Sequence, residues 1–461
     1  MLLISGGKTV TESGIFTADI FVDGGKITEV LPHKKRAWDG DFADARGKLI
    51  LPGVIDPHVH FKLPVGNIVT ADDFESGTRA AIASGVTTVI DYTTQPPGIP
   101  LDQAVLKRRA EADGNVYCDY SLHCVIPSWK SLADPARQMR ELASGGVPSF
   151  KLFMIYEDRG MQSDDGDLFA ALSESAACGS LICVHAESER ILKYFLSLYK
   201  NRPDLGAMAH ALARPAFTEW EAVQRGLTWA EVTGGNIYFV HLSAGKSAEK
   251  IALARKAGVR ALGETCPQYL TLDDSVFARP DGHLFATCPQ IKKREDSDCL
   301  WAALKKGAVS VIATDSCTFN KTQKDMWHGD ITKIPFGMPG VETSLALMYT
   351  RGVLEKKISL RRLTELMSLN PAKAMGLYPR KGTIKAGSDA DLLIVDPGEE
   401  RRVDHAQMQT RCDWNPYDGQ VLRGFPEKVF LRGKLAARNG APLDGPGGQF
   451  LPRSRPDLSI S

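Results

Sequence analysis

Between residues 51 and 374 the chain alternates short apolar runs with longer segments of helical period. Eight runs read as buried strands: VIDPHVH (54–60), VTTVIDY (86–92), YCDYSLHC (117–124), PSFKLF (148–153), LICVH (181–185), IYFVH (237–241), VRALGE (259–264) and SVIATD (310–315). Near-continuous apolar strands are those covered on both faces of a parallel sheet. Helical stretches lie between them, such as ADDFESGTRAAIAS (71–84), DPARQMRELASG (134–145) and GKSAEKIALARKAG (245–258). The last sets Ala and Leu on one face and Lys, Glu and Arg on the other. Eight strand–helix repeats predict an α/β fold, a (β/α)8 TIM-like barrel. The runner-up is an open doubly wound sheet.

The two ends follow a different pattern. Residues 1–50 read as short strands separated by turns, with Gly24-Gly25 between two alternating runs as a hairpin signal. ADLLIVD (390–396) and EKVFLRGKLAARNG (427–440) are again strand-like. The expected organisation is a small β-sandwich domain formed by both ends (1–50 and 375–444) around the barrel (51–374). The Gly-, Pro- and Ser-rich tail (445–461) is expected to lie extended over the surface or a neighbouring subunit.

Composition narrows the function. Of 461 residues, 43% are apolar and 24% charged, and 56 basic side chains balance 55 acidic ones. No basic excess marks a nucleic-acid footprint, so a small-molecule substrate is expected. No apolar run is long enough for a membrane span, and MLLISGGKTV lacks the features of a signal peptide. Nine cysteines at irregular spacing, without Cys-x-x-Cys, fit reduced thiols in a cytoplasmic protein.

The candidate chemistry sits at strand ends. His58 and His60 alternate at the end of the first strand, where both imidazoles face one side. A lone histidine after an apolar run is usually a hydrogen-bonded core residue, but His185 and His241 close consecutive strands and Asp315 closes the eighth. Lys151 lies inside the fourth strand, where an unpaired ammonium is costly to bury. In a barrel these ends share one mouth. Four imidazoles, a carboxylate and a lysine there suit divalent metal, zinc before manganese, iron or nickel, and so many nitrogen donors point to two ions.

LPGVIDPHVHF, KLFMIY, VHAE, VHLSAGKS, GETCPQYL, ATDSCTF and NPAKAMGLYPRKGTIKAGSDADLLIVD together resemble the hydantoinase and dihydropyrimidinase branch of the amidohydrolases, over nearly the whole chain. The resemblance implies that His58, His60 and Asp315 hold one ion and that His185 and His241 hold the other. It also implies that Lys151 bridges them as N6-carboxylysine, formed with carbon dioxide. It implies hydrolysis of a cyclic amide to an N-carbamoyl amino acid, with Asp315 moving the proton and the Tyr156 hydroxyl stabilising the oxyanion. Relatives are commonly homotetramers or dimers. Non-enzymatic scaffold proteins of the same fold lack metal ligands that this chain retains.

Three departures bear on the substrate. Cys288-Pro289-Gln290 replaces the usual Ser-Pro-Pro, and Pro335-Phe336-Gly337 the usual Pro-Asn-Gly. Both loops grip the ring of relatives mainly through main-chain groups, so Cys288 and Phe336 are candidate substrate contacts. Lys62 stands where dihydroorotases and allantoinases generally carry arginine. It keeps the charge without the bidentate fork, which makes allantoinase or dihydroorotase activity the alternative. Gly245-Lys246-Ser247 lacks the first glycine of a phosphate loop. His123 has no expected ligand role, and His33, His210, His283, His328 and His405 read as loop or surface residues.

Overall fold

Eight parallel strands follow one another around a barrel in the computed structural model, which describes residues 1–460. They are Val54–Val59, Val86–Tyr92, Asp119–Val125, Ser149–Phe153, Leu181–His185, Ile237–Leu242, Ala261–Thr265 and Val311–Ile312. Each pairs in parallel with the next in sequence. A bridge from Val59 to Ser316 joins the first strand to the chain leaving the eighth, where the His60 N–H donates to the Ser316 carbonyl at 2.9 Å. Sequential order with first-to-last closure identifies a barrel and excludes the open doubly wound sheet. The eighth strand is shorter than its apolar run because the backbone turns out of the ladder before Asp315.

Local signals set the outer helices. Phe74–Ala83 starts at Asp73, whose side chain accepts from the Ser76 N–H in a reciprocal capping box. Pro135–Ser144 starts at Asp134 with proline in its first turn, and Gly245–Lys256 ends at Ala257 close to its expected bound. The helices pack their apolar faces on strands buried along their whole length.

Both chain ends build one nine-stranded sheet. Leu2–Thr11, Gly14–Asp23, Lys26–Pro32, Asp41–Asp44 and Leu49–Pro52 come from the start, and Leu392–Val395, Pro426–Leu431, Lys434–Arg438 and Ala441–Pro442 from the end. The halves join where Leu392–Val395 runs antiparallel to Leu49–Pro52. Their inward side chains, including Ile4, Ile20, Ile50, Leu392 and Phe430, form one core. Lys381 stitches this region to the barrel: its ammonium lies 2.6 Å from Asp119 on the third strand, 2.6 Å from Asp391 and 3.1 Å from Asp389.

The tail is extended and lies over the lower end of the barrel, with Leu451, Arg453 and Ile460 buried and the rest of its described residues exposed or half-exposed. The Gly448 N–H donates to the Val116 carbonyl, that of Leu451 to Tyr120 and that of Arg453 to Gly146, all at the N-terminal ends of strands. The buried Arg453 guanidinium donates to Ser121 Oγ at 2.9 Å and Ser149 Oγ at 2.6 Å, and also to the Leu122 carbonyl. Leu451 and Ile460 join Ile55, Ile90, Val240 and Leu262 in the apolar cluster inside the barrel. Apolar and hydrogen-bonding partners at the open lower end outweigh solvation of the Gly- and Pro-rich stretch. Among the described residues no helix is long and apolar enough to cross a membrane.

Candidate metal centre

The opposite end of the barrel holds a cavity of about 200 Å3, lined by His58, His60, Lys151, Tyr156, His185, His241, Cys288, Asp315 and Phe336. Every candidate site residue except Lys62 therefore meets in one place. The Lys62 side chain is 55% exposed and its ammonium stands 4.0 Å from Glu111, outside the cavity lining. Its left-handed backbone, φ 46°, belongs to the turn leaving the first strand.

His58 Nε2 and His60 Nε2 lie 3.1 and 3.2 Å from the same oxygen, Asp315 Oδ1, and 3.2 Å from each other. His241 joins this group: its ligating atom lies within 4.8 Å of those of His58 and Asp315. His185 packs edge-on to His241, with ring centroids 4.6 Å apart. Burial pushes the pKa of His60, His185 and His241 down, so these imidazoles are neutral donors of lone pairs. Burial also opposes charge on His58, but the Glu264 and Asp315 carboxylates raise it to about 9. Asp315 is held well below the usual carboxylate range: desolvation is outweighed by His58, His60 and His241.

Lys151 is 1% exposed and its Nζ lies over the rings of Tyr92 and Phe153, at 5.4 and 5.2 Å from their centroids. Desolvation lowers its pKa to about 8. The buried Nδ1 of His241 has no hydrogen-bond partner among the described residues. Converging lone pairs, neutral imidazoles and an orphaned ring nitrogen fit a site for divalent cations.

The backbone is strained at this mouth. Tyr156, His241 and Asp315 have φ of 76°, 40° and 50°, in the left-handed region. Each such residue costs on the order of 1–3 kcal/mol and persists where surrounding structure enforces it. Asp56 supplies part of that enforcement. Its carboxylate accepts from the Thr314 hydroxyl at 2.6 Å, the Thr314 N–H at 3.1 Å and the His58 N–H at 3.2 Å, which locks the first strand to the approach of Asp315.

Two glutamates with unassigned roles in the sequence fix the imidazoles. Glu264 accepts from His58 Nδ1 at 2.7 Å, from the Tyr238 hydroxyl at 2.8 Å and from the His241 N–H at 3.0 Å. This turns His58 Nε2 toward Asp315. Glu187 lies 2.8 Å from His185 Nε2, 2.7 Å from Arg214 and 3.4 Å from the Cys288 thiol. The alternate spacing of His185 and Glu187 was a usable signal for this pairing, the same one that singled out His58 and His60.

Tyr156 leaves the fourth strand at the cavity rim, and desolvation raises its hydroxyl well above the ordinary range, so it stays protonated. Phe336 packs tilted against His210, with centroids 4.9 Å apart. His210 is therefore not a surface residue. It is buried behind Phe336, with Nε2 3.0 Å from the Thr287 carbonyl. His123 is buried too, its two nitrogens occupied by Ser149 and the Pro57 carbonyl, in keeping with no ligand role.

A TIM-like barrel with this cluster at its mouth defines a class, and the chain belongs to the amidohydrolase family, whose model matches residues 49–436. The D-hydantoinase of Geobacillus stearothermophilus is 37% identical over 459 residues, 98% of this chain and 96% of that protein. A crystal structure of a D-hydantoinase aligns with TM-score 0.94 at 35% identity, covering 98% of this chain and 99% of that one. The dihydropyrimidinase of Brevibacillus agri NCHU1002 aligns with TM-score 0.93 at 34% identity, covering 98% and 99%. Within the family the chain falls in the branch of hydantoinases and dihydropyrimidinases, the cyclic amidohydrolases. Hydantoinases of this family are metal-dependent.

Proposed function

We propose that this protein hydrolyses the ring amide bond of hydantoins or dihydropyrimidines, giving N-carbamoyl amino acids. The observation that carries the reading is the gathering of His58, His60, Lys151, His185, His241 and Asp315 around one cavity in a chain of this family. His58, His60 and Asp315 would hold one divalent ion, and His185 and His241 a second. Lys151 would join them as N6-carboxylysine: addition of carbon dioxide would replace an ammonium set over the faces of Tyr92 and Phe153 with an anion suited to two cations. Zinc suits the nitrogen-rich set best, with manganese, iron or nickel as alternatives. Bound ions supply Lewis acidity toward the ring carbonyl and lower the pKa of water.

The protein's own groups do the rest. Water oxygen bonds to the carbonyl carbon, the ring C–N bond breaks, and the nitrogen leaves with a proton. Asp315 takes that proton from the attacking water and delivers it to the nitrogen. The protonated Tyr156 hydroxyl donates to the developing oxyanion. Glu264 holds His58 in one orientation throughout. Cys288 and Phe336 shape the wall against which the ring lies.

Turnover of hydantoins, dihydrouracil, allantoin and dihydroorotate, measured on zinc- or manganese-loaded protein, tests the reading. Opening of hydantoin or dihydrouracil rings is expected. Turnover confined to allantoin or dihydroorotate would replace the substrate class, and none across the panel would favour a scaffold role. We further propose a homotetramer or dimer, for which the exposed Tyr194 and Leu198 on helix Glu189–Tyr199 offer an apolar surface. Light scattering giving a monomer mass would refute that. A cytoplasmic location is supported by nine free cysteines.

A further inference from the structure

Arg159 also lines the cavity, and its guanidinium carbon stands 4.7 Å from the centroid of the Tyr156 ring. The turn that presents it is tight. The Arg159 N–H donates to the Tyr156 carbonyl at 3.0 Å and the Met161 N–H to the same oxygen at 3.1 Å. Its acidic neighbours are engaged elsewhere. Glu157 pairs with Lys193 at 2.6 Å and Arg190 at 3.1 Å, and Asp158 pairs with Lys193 at 3.0 Å. Among the described residues lining the cavity Asp315 is the sole carboxylate, and His58 and His60 hold it. Among those same residues the cations other than histidine are Lys151 and Arg159. Of the other nearby cations, Arg214 pairs with Glu187 at 2.7 Å, and Lys62 stands outside the lining, 4.0 Å from Glu111. Arg159 thus brings a planar fork of donors to the rim without an anionic partner among the described residues.

We infer that Arg159 selects cyclic ureides whose ring carbon carries a short side chain ending in a carboxylate. The inference rests on the ring-opening reading above and adds the substrate class. Its chemistry is that of guanidinium and carboxylate, which pair through two parallel hydrogen bonds. The position favours an acid on the side chain over one on the ring. Arg159 is exposed at the rim, on the outer side of Tyr156, whereas the reacting amide must lie deep among the imidazoles. Leu63, Pro64, Val65, Phe153 and Met161 give the lining apolar surface, and Thr93, Thr94 and Gln95 add polar but uncharged groups, so that side chain meets no competing charge there. The product would be the N-carbamoyl derivative of an acidic amino acid.

The test compares two hydantoins on the metal-loaded enzyme, one with a carboxyethyl side chain and one with the isosteric neutral carbamoylethyl side chain. The wild-type protein should prefer the acid, chiefly through KM, and the preference should shrink as salt rises. Arg159→Ala should lower the acid-to-amide ratio of kcat/KM by about tenfold or more. Arg159→Lys should keep part of the preference, and Arg159→Glu should favour an aminopropyl side chain instead. Equal losses on both substrates in Arg159→Ala, or no preference in the wild type, would overturn the inference while leaving ring opening intact. Better turnover of dihydroorotate than of the carboxyethyl compound would overturn the side-chain placement. No turnover of either hydantoin would remove the ring-opening reading and this inference with it.

Discussion

Lys151 at the barrel mouth and Lys381 at the seam with the terminal sheet are each 1% exposed, yet their surroundings are opposite. Lys381 sits among three aspartates, which outweigh desolvation and raise its pKa. Lys151 faces two aromatic rings, and desolvation lowers its pKa. Other buried lysines also find oxygen acceptors: Lys324 donates to the Ala286 carbonyl and Lys292 to the Arg214 carbonyl. A lysine that serves only the fold is given partners by the fold. One left without them marks a place where the protein expects something from outside.

The sharpest break in this comparison is Lys151→Met. It should abolish ring opening and reduce bound metal from two ions per chain to one or none, while the thermal transition of the metal-free protein changes little. Full metal content by elemental analysis would refute the bridging role. Lys381→Met should do the reverse. Asp391 loses its ion-pair partner while Asp119 keeps Arg432 and Asp389 keeps Lys26 and Arg380. The cost should be about 3–5 kcal/mol in stability, and the metal content of protein that still folds should be unaltered. A melting curve like that of the wild type would show the seam to be less dependent on charge than its geometry implies.

Smaller perturbations refine the picture. Glu264→Gln keeps the shape of the acceptor but weakens its hold on His58, and should reduce metal affinity by about 10–100-fold. Unchanged affinity in a chelator competition would place the orientation of His58 elsewhere, with Asp56 the next candidate. At the seam, desolvation of Asp389 is outweighed by Lys381, Lys26 and Arg380, and its pKa falls from 3.8 to about 2. A depressed carboxylate gives stability that is full above its unfolded value and disappears as acid titrates the folded form. That contribution, on the order of 1 kcal/mol after allowing for solvent screening, should vanish between pH 4 and 2. In Asp389→Asn this acid-sensitive component should be missing from urea titrations.

Much of the barrel was legible because the strands are mostly apolar runs and four of these runs end on a histidine or an aspartate. His58, His185, His241 and Asp315 could be aligned at one mouth from strand order alone. The supports were harder to read, because their partners lie far away in sequence. Glu264 reads as one polar residue in a strand until His58, 206 positions earlier, is brought beside it. Asp56 likewise reaches Thr314 across 258 positions. Lys62 occupies the position where dihydroorotases and allantoinases carry arginine, but whether a residue just past a strand faces inward depends on backbone angles that a motif does not encode. In the tail, Leu451 and Arg453 decide the placement within a stretch that has no periodicity.

The inserted tail also imposes an order on assembly. Translation delivers Leu451 and Arg453 after all eight strands whose lower opening they close, and the terminal sheet likewise waits for Leu392–Val395. A nascent chain stalled before this point would carry an open apolar floor and an unpaired sheet edge, the features that invite aggregation and chaperone capture.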